Sequence, residues 1–328
     1  MIDLSGKKRI LIIRLGKIGD IIIASSVFYA WKKNFPQSQI TLVTLKRNKD
    51  VLKYNRDLDK IFFVKNRLLL IFQILKLRLE KFDLLLDLND DPSTTSRLFR
   101  KFVRAKQTAG FKFSENDIPD ISIEQPPKDE THIIERAESL INCLDSGFKN
   151  SNLKPILYLG EQESSSVNSE LYKYRNNKKI ISINISAGAA IRYWPEKKWI
   201  ELINRICKDS PDCIFIILSD GRDRAKKEFI LQHVDVNRII PTSYKSFQYY
   251  AAYIKNSDLL ITPDTSAVHI ASAFNVPVIA IYPNYEWNFK SWQPLSTHYK
   301  SIKATDENIL NVSVEEVYQS FVNLIGEL

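Results

Sequence analysis

Apolar positions along the chain come in short unbroken runs separated by longer stretches with helical spacing. In the first half, strand-like runs fall at residues 9–14, 40–45, 61–64 and 84–88, with a weaker one at 107–111. Helical patterns fill 20–34, 68–81, 94–104 and 131–145. Apolar runs of this length alternating with helices predict βαβ units, parallel sheets and right-handed crossovers. The rhythm breaks at 160–178, where Gly160 to Ser166 are mostly polar and Arg175-Asn176-Asn177-Lys178 has the composition of a turn, so a linker or a domain boundary is expected there. It then resumes with strands at 180–186, 213–218, 238–240, 259–262 and 277–282 and helices at 195–208, 222–233, 246–255, 265–275 and 313–325. A chain of 328 residues fits two domains of about 100–200 residues each. We place them at 1–165 and 166–328, with the last helix, 313–326, packing back toward the first domain. The stretch Leu68 to Phe82 is apolar nearly all round, which predicts a helix buried between the sheet and a second layer; its alternative is a helix lying on a membrane surface.

Two of the strand-to-helix turns carry small or polar residues: Leu15-Gly16-Lys17-Ile18-Gly19-Asp20 after the first strand, and Asp264-Thr265-Ser266-Ala267-Val268-His269 after the run 259–262. A helix start with free backbone N–H groups and hydroxyls suits a phosphate group. Two such turns far apart in one chain suggest two α/β lobes facing each other across a cleft.

Composition narrows this little. The 44% hydrophobic content suffices for two ordinary cores. Cys143, Cys207 and Cys213 lack metal-type spacing and are expected to be reduced structural thiols of a cytosolic protein. Four scattered histidines offer no metal cluster, so no metal is expected. Arg14 and Lys17 interrupt the first apolar run, unlike a signal peptide, and no apolar window is long enough to span a membrane. Charge is uneven: residues 1–150 hold 27 Lys+Arg and 19 Asp+Glu, leaving 20 and 19 for the remainder. That basic half suits an anionic partner, whether a phosphorylated glycolipid, a membrane surface or a nucleic acid; ordinary surface solvation accounts for it equally well.

In the first turn, Gly16 and Gly19 permit a sharp bend and Asp20 can cap the following helix. The glycines match neither the dinucleotide fingerprint nor the Walker loop, which argues against a dinucleotide oxidoreductase. After the strand Ile180 to Ile185 comes Ser186-Ala187-Gly188-Ala189-Ala190-Ile191-Arg192-Tyr193-Trp194-Pro195. Pro195 suits a first helical turn, and Arg192 just before it can bind phosphate oxygens in two parallel hydrogen bonds, or be an ordinary surface arginine beside a packed tryptophan.

Together the opening Ile10-Leu11-Ile12-Ile13-Arg14-Leu15-Gly16-Lys17-Ile18-Gly19-Asp20, the Arg192-Tyr193-Trp194-Pro195 segment, and Asp264 to His269 continued by Ala271 and Val276-Pro277-Val278 resemble glycosyltransferase family 9, the ADP-heptose:lipopolysaccharide heptosyltransferases and their relatives. The resemblance runs over nearly the whole chain. It implies a GT-B fold of two Rossmann-like, doubly wound parallel-sheet lobes, acceptor mainly on the first and nucleotide sugar mainly on the second. It implies inverting transfer without metal or cofactor, from an ADP-linked heptose to a lipopolysaccharide or lipooligosaccharide core. Asp20 takes the place of the general base and Arg192 that of the basic residue at the leaving diphosphate. The implied donor-binding set is Ser186, Arg192, Asp223 near the ribose, Asp264, Thr265, Ser266 and His269; Gly16, Lys17 and Gly19 form the acceptor-side loop. The implied setting is cytoplasmic, peripheral on the inner face of the inner membrane, with a phosphorylated glycolipid and an anionic membrane surface as partners and no nucleic acid. Two departures lie near the nucleotide: Ser266 where the family has Gly, and Ser219-Asp220-Gly221 where it has Gly-Gly-Pro. Alternatives are a relative using another nucleotide sugar, a non-catalytic nucleotide-sugar binder, and a basic nucleic-acid-binding protein for which no binding motif is present.

Overall fold

The computed structural model describes residue 4 and residues 6–64, 67–145, 148, 153–242 and 246–327; the side chains of Arg67, Leu68, Glu286 and Trp287 lie outside the described set. It divides into two compact units, Met1–Tyr158 and Leu159–Leu328, a boundary somewhat earlier than 165/166.

The first unit runs β1 (Arg9–Ile13), α1 (Ile18–Asn34), β2 (Gln39–Leu45), β3 (Lys60–Val64), α2 (Arg67–Arg78), β4 (Phe82–Asp87), α3 (Thr94–Phe102), β5 (Ala105–Phe111), β6 (Ile121–Ile123) and α4 (Ile133–Asn142). The sheet order is β3-β2-β1-β4-β5-β6, parallel at every pairing. Apolar residues on successive positions of β1 face opposite sides of the sheet. Leu11 and Ile13 join Val43, Leu85, Phe99 and the inner residues of α2 in one core layer, and α1 packs with α4.

The second unit runs α5 (Glu161–Tyr172), β7 (Lys179–Asn184), α6 (Glu196–Asp209), β8 (Cys213–Leu218), α7 (Arg224–Leu231), α8 (Phe247–Lys255), β9 (Leu259–Pro263), α9 (Ser266–Phe274), β10 (Val278–Tyr282), α10 (Glu286–Trp292), β11 (Tyr299–Lys303) and α11 (Val314–Gly326). Its sheet is also parallel, in the order β11-β10-β9-β7-β8. Read from β8, this is the 2-1-3-4-5 doubly wound order, whereas the first unit has the 3-2-1-4-5-6 order. Ligands of such sheets bind beyond the carboxyl ends of the strands where the order reverses. Those points are β1/β4 in the first unit and β7/β9 in the second.

Several expectations are corrected. The polar stretch after Gly160 is not a linker but helix α5, amphipathic with Val167 and Leu171 fully buried. No strand forms at 238–240: a 3-10 turn covers Val236–Arg238 and Ile239 makes only an isolated bridge to Phe215. In the last helix, Val317, Phe321 and Leu324 enter the second unit's core with Leu202 and Ile206 of α6. Helix α2 is not covered on both faces. Leu70, Ile74 and Leu77 pack inward, but Leu69, Ile71, Phe72, Leu75 and Leu79 are 43%, 67%, 70%, 52% and 82% exposed. Cys143, Cys207 and Cys213 are free thiols, with Cys213 buried at the start of β8 and its pKa pushed up to about 12, chiefly by desolvation. Among the described residues no helix is long and apolar enough to cross a membrane.

Candidate active site

In the first unit the chain leaves β1 at Ile13 and meets a charge it must bury. Arg14 is almost fully enclosed; its Nη1 donates to the Leu88 carbonyl at 2.5 Å and to Asp90 Oδ1 at 2.7 Å, and its Nη2 donates to Asp20 Oδ1. Asp90 in turn sits 3.3 Å from Arg136 Nη2 of α4. Leu88, Asn89 and Asp90 follow β4, so loops from both strands of the switch point meet on one guanidinium. Burial alone would raise the Asp90 pKa, but Arg14 and then Arg136 outweigh it and hold the carboxyl below the usual carboxylate range. Asp87, buried beside them, is pushed up by desolvation despite Ser96, Asn89 and Arg100.

Asp20 caps α1, but not as its N-cap residue. The N-cap of α1 is Lys17, and Asp20, at the third helical position, accepts the Lys17 backbone N–H at 2.7 Å through Oδ2. This is the reciprocal half of a capping box. One Asp20 oxygen is thus fixed by the backbone and the other by Arg14, while the side chain stays 20% exposed. Gly16 is explained by space rather than by an unusual dihedral. A Cβ there would stand 2.3 Å from Asp20 Cγ and 2.6 Å from Oδ2, and Gly6 is the positive-φ glycine among the described residues. Gly19 is the second residue of α1, and Lys17 is exposed beside the carboxylate.

In the second unit, loops after β7 and β9 converge likewise. Trp194 is buried edge-on against Trp199, ring centroids 4.6 Å apart, and donates Nε1–H to the Val312 carbonyl at 2.9 Å. That anchor fixes the 3-10 turn Ala190–Arg192 immediately before it, and Pro195 becomes the N-cap of α6. Arg192 Nη1 lies 3.1 Å from Asp264 Oδ2 and 3.3 Å from the Asp264 carbonyl. Among the described residues its Nε has no hydrogen-bond partner. Asp264 is buried and also accepts from Asn288 Nδ2 of α10 at 2.7 Å. Burial pushes its pKa up, opposed by Arg192 and Asn288.

Thr265 is the N-cap of α9, its Oγ1 accepting from the Ala267 N–H at 3.3 Å and from Asn184 Nδ2 at 3.2 Å; Ser266 is the first helical residue. Ser186 Oγ accepts the Asp220 N–H at 2.7 Å and so joins the β7 loop to the loop after β8. There Asp223, buried, accepts from Tyr193 Oη at 2.9 Å, with Lys226 Nζ 3.6 Å from the Tyr193 ring centroid. Desolvation and the Asp223 acceptor raise the Tyr193 pKa. A Cβ at Gly188 or Gly221 would meet nothing within 4 Å, so both loops border open space.

The structure therefore brings together Ser186, Arg192, Asp264, Thr265 and Ser266 at one switch point, with Asp223 joined to them through Ser186 and Tyr193. His269 is placed otherwise. It is buried on α9, its ring 5.5 Å from Trp292 of α10. Sequence reasoning missed Arg14, Asp90 and Arg136, and also Asn184, Tyr193 and Asn288. Arg14 and Tyr193 stand inside the motifs themselves, where a charge ending an apolar strand was a usable signal. Asp90 was findable only once β4 was known to lie beside β1.

Comparison with known proteins agrees with this geometry. The model of glycosyltransferase family 9 (heptosyltransferase) matches residues 73–321. Lipopolysaccharide heptosyltransferase 1 of Campylobacter coli is 23% identical over 97% of this chain and 99% of its own length. Among solved structures, a family 9 glycosyltransferase from Veillonella parvula superposes with TM-score 0.85 at 18% identity, covering 100% of this chain and 99% of that one. The E. coli ADP-heptose lps heptosyltransferase II gives TM-score 0.76 at 17% identity, covering 97% and 99%. The fold class is thus GT-B, the chain is a glycosyltransferase, and with the family model matched over most of its length it belongs to glycosyltransferase family 9.

Proposed function

We propose that the chain transfers a heptose from ADP-heptose onto a lipopolysaccharide or lipooligosaccharide core, with inversion at the anomeric carbon and with no metal or cofactor. The observation that carries this reading is the state of Arg192: a guanidinium locked in place by a buried carboxylate, yet with Nε unpartnered, beside the hydroxyls and amides that start α9. Asp264 is then not a phosphate ligand, since its charge would repel a diphosphate. It is the residue that aims Arg192. Thr265, Ser266 and the α9 amides complete an anion site of the kind helix starts provide, and Asp223 with Tyr193 takes the nucleoside end. Thus the unit 159–328 holds the donor and the unit 1–158 the acceptor.

In the reaction, an acceptor hydroxyl attacks the anomeric carbon while Asp20 removes its proton. The bond to the diphosphate breaks, and the charge developing on the departing oxygens falls on Arg192 and the helix start, which take the role a metal ion plays elsewhere. The names of the relatives support ADP-heptose and lipopolysaccharide as the substrates, and in this reading the enzyme meets its glycolipid acceptor at the inner face of the inner membrane.

Calorimetric titration with ADP, GDP and UDP tests the donor site. A charged hydrogen bond to phosphate is worth roughly 1.5–3 kcal/mol, so Arg192→Ala should weaken ADP binding about tenfold or more. Unchanged affinity for all three nucleotides overturns the assignment. Product configuration by NMR and turnover in excess chelator test the rest: a retained anomer, or activity abolished by chelation, contradicts inversion or metal independence.

A further inference from the structure

We propose that the outward face of α2, together with the end of α3, is a docking surface for an anionic lipid bilayer. Leu69, Ile71, Phe72, Leu75 and Leu79 stand in water along one side of the helix and just past its end, an arrangement costly for a soluble surface unless something covers it. Phe102, the last residue of α3, is 43% exposed and extends the patch; its carbonyl accepts from Arg78 Nη1 at 2.9 Å. Exposed Lys76, Lys81, Lys101 and Arg104 accompany the apolar side chains, with Arg78 partly exposed.

Neither α2 (RLLLIFQILKLR) nor α3 (TTSRLFRKF) contains an acidic residue. The neighbouring carboxylates are already engaged, Glu80 by Arg9 and Lys60, Asp83 by Lys106, and Asp87 and Asp117 by Arg100 of α3, with Arg97 also beside Asp117. An apolar strip with a cationic border is what an interfacial helix presents to acyl chains and anionic headgroups, its long basic side chains reaching back to the headgroup level. A second copy of the chain is the poorer occupant: a two-fold contact across this patch would set its cations against their own copies. The proposal deepens the glycolipid-acceptor reading by naming the surface that brings the enzyme to its acceptor, and it is testable without any acceptor present.

The full-length protein is sedimented with vesicles of phosphatidylglycerol and phosphatidylcholine, and with phosphatidylcholine alone, at low and high salt. Wild type should sediment with the anionic vesicles, weakening as salt rises. Phe72→Ser/Leu75→Ser/Leu79→Ser should cut partitioning about tenfold or more, and Lys76→Glu or Lys101→Glu about fivefold or more each. The melting temperature should change little beside the loss of partitioning, because these residues are more exposed than buried. Wild type left in the supernatant, or the triple variant partitioning like wild type, overturns the proposal. So does analytical ultracentrifugation showing a dimer that the triple variant dissociates, since a second copy would then cover the face. ADP titration of the same variants separates this result from the donor reading: docking lost with ADP binding intact leaves the transferase assignment standing.

Discussion

Asp20 is defined by what restrains it. A backbone amide holds one carboxylate oxygen and Arg14 the other, and the room it occupies exists only because residue 16 lacks a Cβ. Gly16→Ala should therefore behave as a catalytic lesion that never touches a catalytic atom. We expect turnover to fall about 10²–10⁴-fold, as for Asp20→Asn, with ADP affinity by calorimetry unchanged in both; near-normal turnover in the alanine variant would show that Asp20 tolerates displacement. Asp90 supports this arrangement from behind. Its folded pKa is lowered, so it contributes stability above its unfolded pKa of about 3.9 and loses it as pH falls through the folded value. Asp90→Asn should cost about 3–5 kcal/mol at neutral pH by stranding charge on Arg14 and Arg136. Denaturant titrations from pH 7 to pH 3 should show that gap closing in acid. A gap independent of pH would mean the carboxylate's charge is not what matters. Asp20, Gly16 and Arg192 were legible from their motifs. Asp90 and Asn288 were not, because each acts through a neighbour distant in sequence.

Strands with continuous apolar runs and helices with a single buried stripe were found from pattern; the elements missed share another property. Strand β11 (YKSIK) is a sheet edge and half polar, and β6 is three residues of partial burial. Helix α5 (EQESSSVNSELY) buries Glu163, Val167 and Leu171, at the first, fifth and ninth of its positions after Gln162, in a sequence otherwise polar enough to pass for a linker. Leu171→Ala should nonetheless destabilise the protein by about 2–5 kcal/mol, as for any fully enclosed leucine; a loss under 1 kcal/mol by urea titration would return the segment to linker status. Helix α2 failed in the opposite sense. All-round apolarity argued for cover on both faces, and periodicity cannot tell a helix enclosed by protein from one that leaves a face for something outside the chain.

At the level of the whole molecule, the number of lobes and their parallel sheets followed from the alternation of elements, but the two different strand orders did not, because nothing local fixes which strand lies beside which. Each unit has its own core, and every residue proposed to hold the donor falls after Leu159. The fragment 159–328 should therefore fold and bind ADP within about tenfold of the full chain, and an insoluble fragment or one without ADP affinity would show that the donor site depends on residues 1–158. The switch points also impose an order on synthesis. Arg14 leaves the ribosome 76 residues ahead of Asp90, and Arg192 leads Asp264 by 72. At about 5–20 residues per second, roughly 4–15 seconds separate each arginine from its partner across the switch point, Asp90 or Asp264. Until then the central strand beside it lacks a neighbour, so each half of the enzyme has an interval during translation when its apolar middle is open to chaperones and to other nascent chains.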